Sequence, residues 1–197
     1  MVLTRRTLLA AVLCNGVAHA AGSARPAAPL LAALRPGPLT PMLGAQQAPR
    51  VLAVYFDYHC PYCRAADGLL RPLAGRNPDL RILYREYPVL REDSELAARI
   101  ALSAQLHGRF FEAHDRLMHL SGNFTGAVAT QIAQSLGLDP ATFRHDMGDE
   151  RVSAELRRNL DDAAALGIQA TPTYVTAQGV HQGAIDLTRL QSMVDGA

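Results

Sequence analysis

Two cysteines stand three residues apart in the run Val51-Leu52-Ala53-Val54-Tyr55-Phe56-Asp57-Tyr58-His59-Cys60-Pro61-Tyr62-Cys63. Thiols at that spacing share one face of a helix and can open and close a disulfide. Pro61 predicts that the helix begins directly after Cys60, because a proline at the first helical position lacks only an N–H that would be unpaired there anyway. The free N–H groups of the first turn and the positive end of the helix dipole then face the Cys60 sulfur and favour its thiolate. The chemistry this predicts is thiol–disulfide exchange, with Cys60 as the exposed, attacked sulfur and Cys63 as its partner. Other uses of the pair fit less well. Structural zinc wants four ligands; the chain offers no second cysteine pair, and His59 beside Cys60 would bite awkwardly. A purely structural disulfide over so short a loop would stabilise little, since the entropic gain grows with loop length.

Elements of recognisable type must position this pair. The β-favouring run Val51 to Phe56 has the length of a buried strand, and Pro61 to about Gly75 reads as a helix burying Leu69, Leu70 and Leu73. Leu80 to Tyr87, ended by Pro88, is a second strand, and strand–helix–strand with a short return implies a right-handed unit with parallel pairing. From Asp93 to Gly167 the apolar period is helical throughout, in five segments divided at Gly108, Gly122-Asn123, Gly137 and the residues before Asp149. That much helix between strands is an inserted subdomain, at about 91–167, and not a loop. Thr173 to Ala177 and Val180 to Gly183 form a hairpin across Gln178-Gly179, and Asp186 caps a last helix through Val194.

The 197 residues are 49% hydrophobic and 19% charged, which suits one globular domain with an insertion. All nineteen basic residues are Arg, and a net charge of +1 makes no electrostatic case for nucleic acid. Residues 1–20 read as a cleavable export signal: Arg5 and Arg6, an apolar core from Leu8 to Val17, then Ala18-His19-Ala20. Thr4 to Leu9 resembles an imperfect twin-arginine signal, with an ordinary secretory signal as the alternative. Its removal takes away Cys14 and leaves two cysteines in an oxidising compartment, periplasmic or secreted. Residues 21–49, rich in Ala and Pro, are expected to be an extended or partly disordered lead-in, with an apolar turn at Leu30 to Leu34 that could dock on the domain or on another subunit.

The order β-α-β, helical insert, β-β-α with C-x-x-C at the first helix resembles the DsbA-like branch of the thioredoxin superfamily. The block Phe56 to Cys63, the insertion and Gly167-Ile168-Gln169-Ala170-Thr171-Pro172-Thr173-Tyr174 carry the resemblance. It implies an α/β thioredoxin fold over residues 50–197 with an all-helical insertion. It implies as well a cis Pro172 beside the cysteines, with Thr171 as an edge on which an extended substrate can pair; an ordinary strand-start proline is the alternative. Many relatives carry a buried Glu six residues before the first cysteine, thought to relay protons for the second. Val54 stands there instead, so proton handling at Cys63 must use water, substrate or another group. Asp57 is expected to face away. Glu86 is the candidate, with a solvated strand-end charge as its plainer reading.

What the resemblance implies is an exported protein thiol:disulfide oxidoreductase that oxidises cysteine pairs in unfolded or reduced exported polypeptides. It uses no cofactor beyond a Cys60–Cys63 redox disulfide and is recycled by a membrane redox protein. Pro61, Tyr62, His59 and Thr171 are expected to support the pair. His59 would add positive charge near Cys60 when protonated, or else sit as an exposed turn residue. His107, His114, His119, His145 and His181 show no ligand spacing and read as surface or helix-face residues. Two alternatives stand beside this reading. One is an isomerase or reductase of the same fold, which usually requires an oligomer; the other is a non-catalytic holdase or metal-binding module.

Overall fold

The structure, a computed structural model, describes residues 28–196. The expected export signal and Cys14 lie outside the described residues, as does the start of the lead-in. Within the rest of that lead-in the chain forms α1 (Ala28–Ala33) and β1 (Met42–Gly44), then enters β2 (Arg50–Phe56), α2 (Pro61–Arg76) and β3 (Leu80–Glu86). Five helices follow: α3 (Ser94–Leu106), α4 (Phe110–His119), α5 (Gly126–Ser135), α6 (Pro140–Asp146) and α7 (Glu150–Ala165). The chain returns through β4 (Thr173–Thr176), β5 (Gly179–Gln182) and α8 (Leu187–Asp195).

The strands form one sheet in the order β1-β3-β2-β4-β5. Only β2 and β3 run parallel, in register from Arg50 against Leu80 to Phe56 against Glu86; the other pairings are antiparallel. The mixed sheet with its helical insert is the thioredoxin-like fold the motif order implied. β1 is an addition that three residues among prolines did not announce.

The central strand is buried on both faces, which is why it reads as an unbroken apolar run. Leu52, Val54 and Phe56 point to one side, where Leu70 and Leu73 of α2 and Leu190 and Val194 of α8 join the same core. Ala53 and Tyr55 point to the other, against Ala33, Leu34, Ala163 and Ile168. With α2 and α8 on one face and α1 and α7 on the other, the C-terminal end of β2 is held in a fixed place. That end carries Cys60.

Arg85, at the middle of the second face, is fully buried. Its guanidinium donates to the carbonyls of Ala33 and Arg35 at 2.7 Å each and to Asn159 Oδ1 at 3.1 Å, and lies 3.5 Å from the Glu155 carboxylate. Thr40 also donates to Glu155. One cation thereby pins the end of α1 and the following loop to β3 and α7. Removing it would strand a buried carboxylate and two carbonyls, a change that typically costs about 3–5 kcal/mol. Urea unfolding of Arg85→Met should show a loss of that size, whereas Arg50→Met, at the solvent-screened pair with Asp79, should lose much less.

Candidate active site

Cys60 is the N-cap of α2, with extended backbone (φ −76°, ψ 114°), and Pro61 occupies the first helical position. The Cys63 N–H donates to the Cys60 sulfur at 3.3 Å. The turn before it is held by the Cys60 N–H on the Asp57 carbonyl at 3.0 Å and by Arg64 Nε on the Tyr58 carbonyl at 2.9 Å. Both cysteines are free thiols. Cys60 is 3% exposed and Cys63 2%, so in the dithiol form neither sulfur stands open to solvent. This corrects the expectation of an exposed Cys60: its thiol is turned under the β4 entry loop and donates to the Thr171 carbonyl at 3.2 Å.

The two sulfurs are electrostatically unequal. A hydrogen bond from the Cys63 thiol brings Cys60 down to about 6; burial opposes this, and the Thr171 hydroxyl together with the N–H groups of Cys63 and Tyr62 adds to it. Cys63 is pushed far up, because its proton is engaged by Cys60 and its surroundings are dry; the Asp57 N–H opposes this only in part. One proton is thus shared out between two sulfurs, and the helix terminus assigns the charge to Cys60.

The Thr171–Pro172 bond is cis, and Pro172 is buried. Its carbonyl accepts from the Gly183 N–H at 2.8 Å, which ties the loop to the end of the hairpin. Pro172 and Cys63 line one narrow cavity together with Val54, Asp67 and His114. Pro61 and Tyr62 are exposed on the first turn, Tyr62 to 63%. The structure therefore brings Cys60, Cys63, Thr171 and Pro172 together and leaves Pro61 and Tyr62 facing outward.

Asp57 and His59 hold the surroundings. The buried Asp57 carboxylate accepts from the N–H groups of His59, Val89 and Leu90 at 2.8, 2.9 and 3.0 Å and from the Ser94 hydroxyl at 3.0 Å. It thus moors the loop after β3, with the exposed Val89 and Leu90, to the same end of the sheet. His59 is neither an exposed turn residue nor free to serve Cys60. Its side chain is 7% exposed, with Nε2 2.7 Å from Asp93 Oδ1 and the ring centroid 4.6 Å from that of Phe124. Asp93 Oδ2 in turn accepts from the Phe124 N–H at 2.7 Å, so the active-site turn is joined to the helical insert.

Two further expectations are corrected by burial. Glu86 is 1% exposed, not a solvated strand-end charge; burial pushes its carboxyl well up, the bond from Tyr58 opposes this, and the nearby Asp57 charge adds to it. His114 is 1% exposed, not a surface residue: it lies on the buried face of α4 beside Phe110, Leu117 and Met118. It meets Tyr58 and Asp67 in the interior, neither of which was singled out from the sequence. A polar Asp67 among apolar positions of α2 and a His at the buried position of an amphipathic α4 were the only signals available. Among the described residues no three His, Cys, Asp or Glu side chains are grouped as metal ligands.

Comparison with known proteins follows the same lines. A sequence profile described as DSBA-like thioredoxin domain matches residues 51–195. A thioredoxin-like oxidoreductase from Silicibacter pomeroyi DSS-3 superposes with a TM-score of 0.76 at 34% identity, over 81% of this chain and 92% of that one. A periplasmic thioredoxin-like protein from Salmonella enterica serovar Typhimurium gives 0.73 at 31% identity, over 85% and 94%. Among curated relatives, a Na(+)/H(+) antiporter NhaA 1 of Salinispora arenicola is 29% identical over 156 residues, 78% of this chain and 24% of the antiporter. The chain spans about a quarter of the length of the curated relatives it matches.

The ultraviolet absorbance of the thiolate should titrate with a midpoint at about 6 for Cys60. In Cys63→Ala the midpoint should rise, because the strongest donor to Cys60 is gone, yet stay below that of an ordinary thiol, because the backbone donors remain. A folded-state value lowered to about 6 stabilises the dithiol form fully at pH above the ordinary thiol range, and that contribution is lost as pH falls through about 6. Melting of the dithiol and disulfide forms compared from pH 9 to 5 should show the dithiol's advantage shrinking.

Proposed function

This chain belongs to the family of DSBA-like thioredoxin domains, and on that premise we propose that it is an exported thiol:disulfide oxidoreductase that oxidises cysteine pairs in other exported proteins. The observation that carries the reading is the Cys60 sulfur capping the N-terminus of α2, where it accepts the Cys63 N–H at 3.3 Å and its thiolate is favoured by the Cys63 thiol and the first-turn N–H groups. Whatever stabilises the thiolate of the reduced pair makes the disulfide a better oxidant.

The exchange runs in two displacements. A substrate thiolate attacks Cys60 of the Cys60–Cys63 disulfide; a new S–S bond forms, the old one breaks, and its electron pair leaves on Cys63, which takes up a proton. A second substrate thiolate then attacks the substrate sulfur of the mixed disulfide. The substrate leaves as a disulfide, two electrons poorer, and Cys60 leaves as a thiolate. Good stabilisation of Cys60 as leaving group speeds the second displacement. Thr171, whose carbonyl accepts from the Cys60 thiol, is the edge on which the incoming chain is taken to pair. Tyr62, Val89 and Leu90 offer apolar surface at that end of the sheet, suited to an unfolded polypeptide.

A periplasmic setting is supported by the Salmonella relative and by the export signal read at residues 1–20. Residues 50–197 then form the functional domain, with the insertion at about 91–167 covering the cysteine pair. Recycling of the dithiol falls to a membrane redox protein. Transport is the antiporters' named activity. Among the described residues no helix is long and apolar enough to cross a membrane.

The test is the equilibrium of the purified protein with glutathione, run beside refolding of a reduced substrate protein. An oxidase gives a disulfide more oxidising than glutathione, a disulfide form that melts below the dithiol form, and loss of substrate oxidation in Cys60→Ala. A pair more reducing than glutathione, with repair of scrambled disulfides by an oligomeric protein, would assign the isomerase or reductase role instead. Chaperone activity that survives Cys60→Ala, with no redox activity in the parent, would leave a holdase.

A further inference from the structure

Four polar side chains that this exchange does not yet use form one hydrogen-bonded line. Glu86 Oε1 accepts from the Tyr58 hydroxyl at 2.8 Å, that hydroxyl lies 2.9 Å from His114 Nδ1, and His114 Nε2 lies 3.0 Å from Asp67 Oδ1. Glu86, Tyr58 and His114 are each 1% exposed, while the Asp67 side chain is 18% exposed. They come from β3, the active-site turn, α4 and α2, so only the completed fold assembles the line. Its Asp67 end lies four residues after Cys63 on the same helix and borders the cavity that Cys63, Val54 and His114 also line. That cavity has space for about one water molecule.

Each member can both give and take a proton, so the line has two complete arrangements. In one, Glu86 carries the proton and donates to Tyr58, Tyr58 donates to Nδ1, and Nε2–H donates to Asp67. In the other, every proton has moved one link: Asp67 carries it, Nδ1–H donates to Tyr58, and Tyr58 donates to Glu86. The net result is transfer of one proton from the buried strand end to the edge of the Cys63 cavity, with no group crossing the interior.

We propose that Asp67, His114, Tyr58 and Glu86 are the proton relay of Cys63, with Asp67 as the residue that exchanges the proton with the sulfur. The inference rests on the exchange reading above. When substrate thiolate breaks the Cys60–Cys63 bond, the Cys63 thiolate takes the Asp67 proton, directly or through one water in the cavity. When the Cys63 thiol attacks a mixed disulfide on Cys60, Asp67 takes the proton back. Two electrons move with the sulfur bonds, and one proton moves along the line. Burial, which makes a Cys63 thiolate costly, also pushes the Glu86 carboxyl up and so favours its protonated form. Asp67, the one partly open member, is where solvent can reload it. The other ionisable groups facing the line are Asp57 towards Glu86, Tyr84 with its ring 5.1 Å from that of His114, and the Arg71–Asp115 pair outside Asp67 and Tyr84.

The experiment follows closure of the Cys60–glutathione mixed disulfide by stopped flow, reading glutathione release against pH. Asp67→Asn should slow closure at neutral pH by about 10- to 100-fold, with the rate recovered as pH rises and hydroxide replaces the base. Tyr58→Phe, which cuts the line but keeps the ring, should slow it less. Tyr58→Phe with Glu86→Gln should be no slower than Tyr58→Phe alone, since Glu86 is already disconnected. Closure in Asp67→Asn at the parent rate and with the parent pH profile overturns the relay, as does a fall in melting temperature that leaves the profile unmoved. The Cys60 midpoint and the yield of mixed disulfide in the same samples report on exchange itself. If the parent protein forms no mixed disulfide, the function reading fails; if it forms normally and only the profile stays flat, the relay alone fails.

Discussion

The structure depends on one scarcity: the first turn of a helix has backbone donors and no acceptors of its own. At α2 the acceptor supplied is a sulfur, because the residue before Pro61 is a cysteine. A serine there would make an ordinary cap. Sulfur accepts the same N–H at 3.3 Å, a bond that favours its thiolate. The largest part of the lowering comes from the second cysteine, whose thiol has no better partner in a dry interior than its neighbour. The asymmetry between two chemically identical side chains is therefore positional and not intrinsic.

Holding that position takes more of the chain than the motif suggests. The parallel pairing of β2 with β3 sets the strand end, and Arg85 locks the α1 segment and α7 behind it. The Asp57 carboxylate gathers three backbone N–H groups and a hydroxyl from two segments, which fixes the loop after β3 beside the turn. Asp93 takes one contact from the turn and one from the insert, so the helical subdomain is fastened to the cysteines and not merely inserted near them. Each of these groups is a carboxylate or guanidinium that bonds backbone groups as well as polar side chains, which is how buried charge becomes tolerable.

Where the sequence was informative, the information was local. Cys60-Pro61 marks a helix start, glycines at the helix ends and Asp139-Pro140 mark the insert, and alternation in the hairpin marks its strands; all five inserted helices lie where periodicity put them. What escaped was tertiary. Three residues of β1 among prolines carry no period at all, and α1 is six residues long. His114 and Asp67 are 47 positions apart, and nothing in either neighbourhood shows that α4 will lay its histidine across α2. Glu86 looks like any charge at a strand end until α2 and α4 close over it. His59 sits in a polar turn, and only the fold reveals that Asp93 and Phe124 cover it. Pro172 was legible through family likeness alone, since no local rule distinguishes a cis proline before a strand from a trans one.

The unequal sulfurs also determine how the couple responds to acidity. A pair that returned both protons on reduction would shift its midpoint potential by about 59 mV for each pH unit, whereas a pair that binds one proton for two electrons shifts by about 30 mV. With Cys60 ionised above about 6 and Cys63 protonated far beyond it, the gentler slope spans the neutral range. The potential of such a pair changes gently with acidity through the neutral range, and the steeper dependence begins only once acid reaches the helix-capping sulfur.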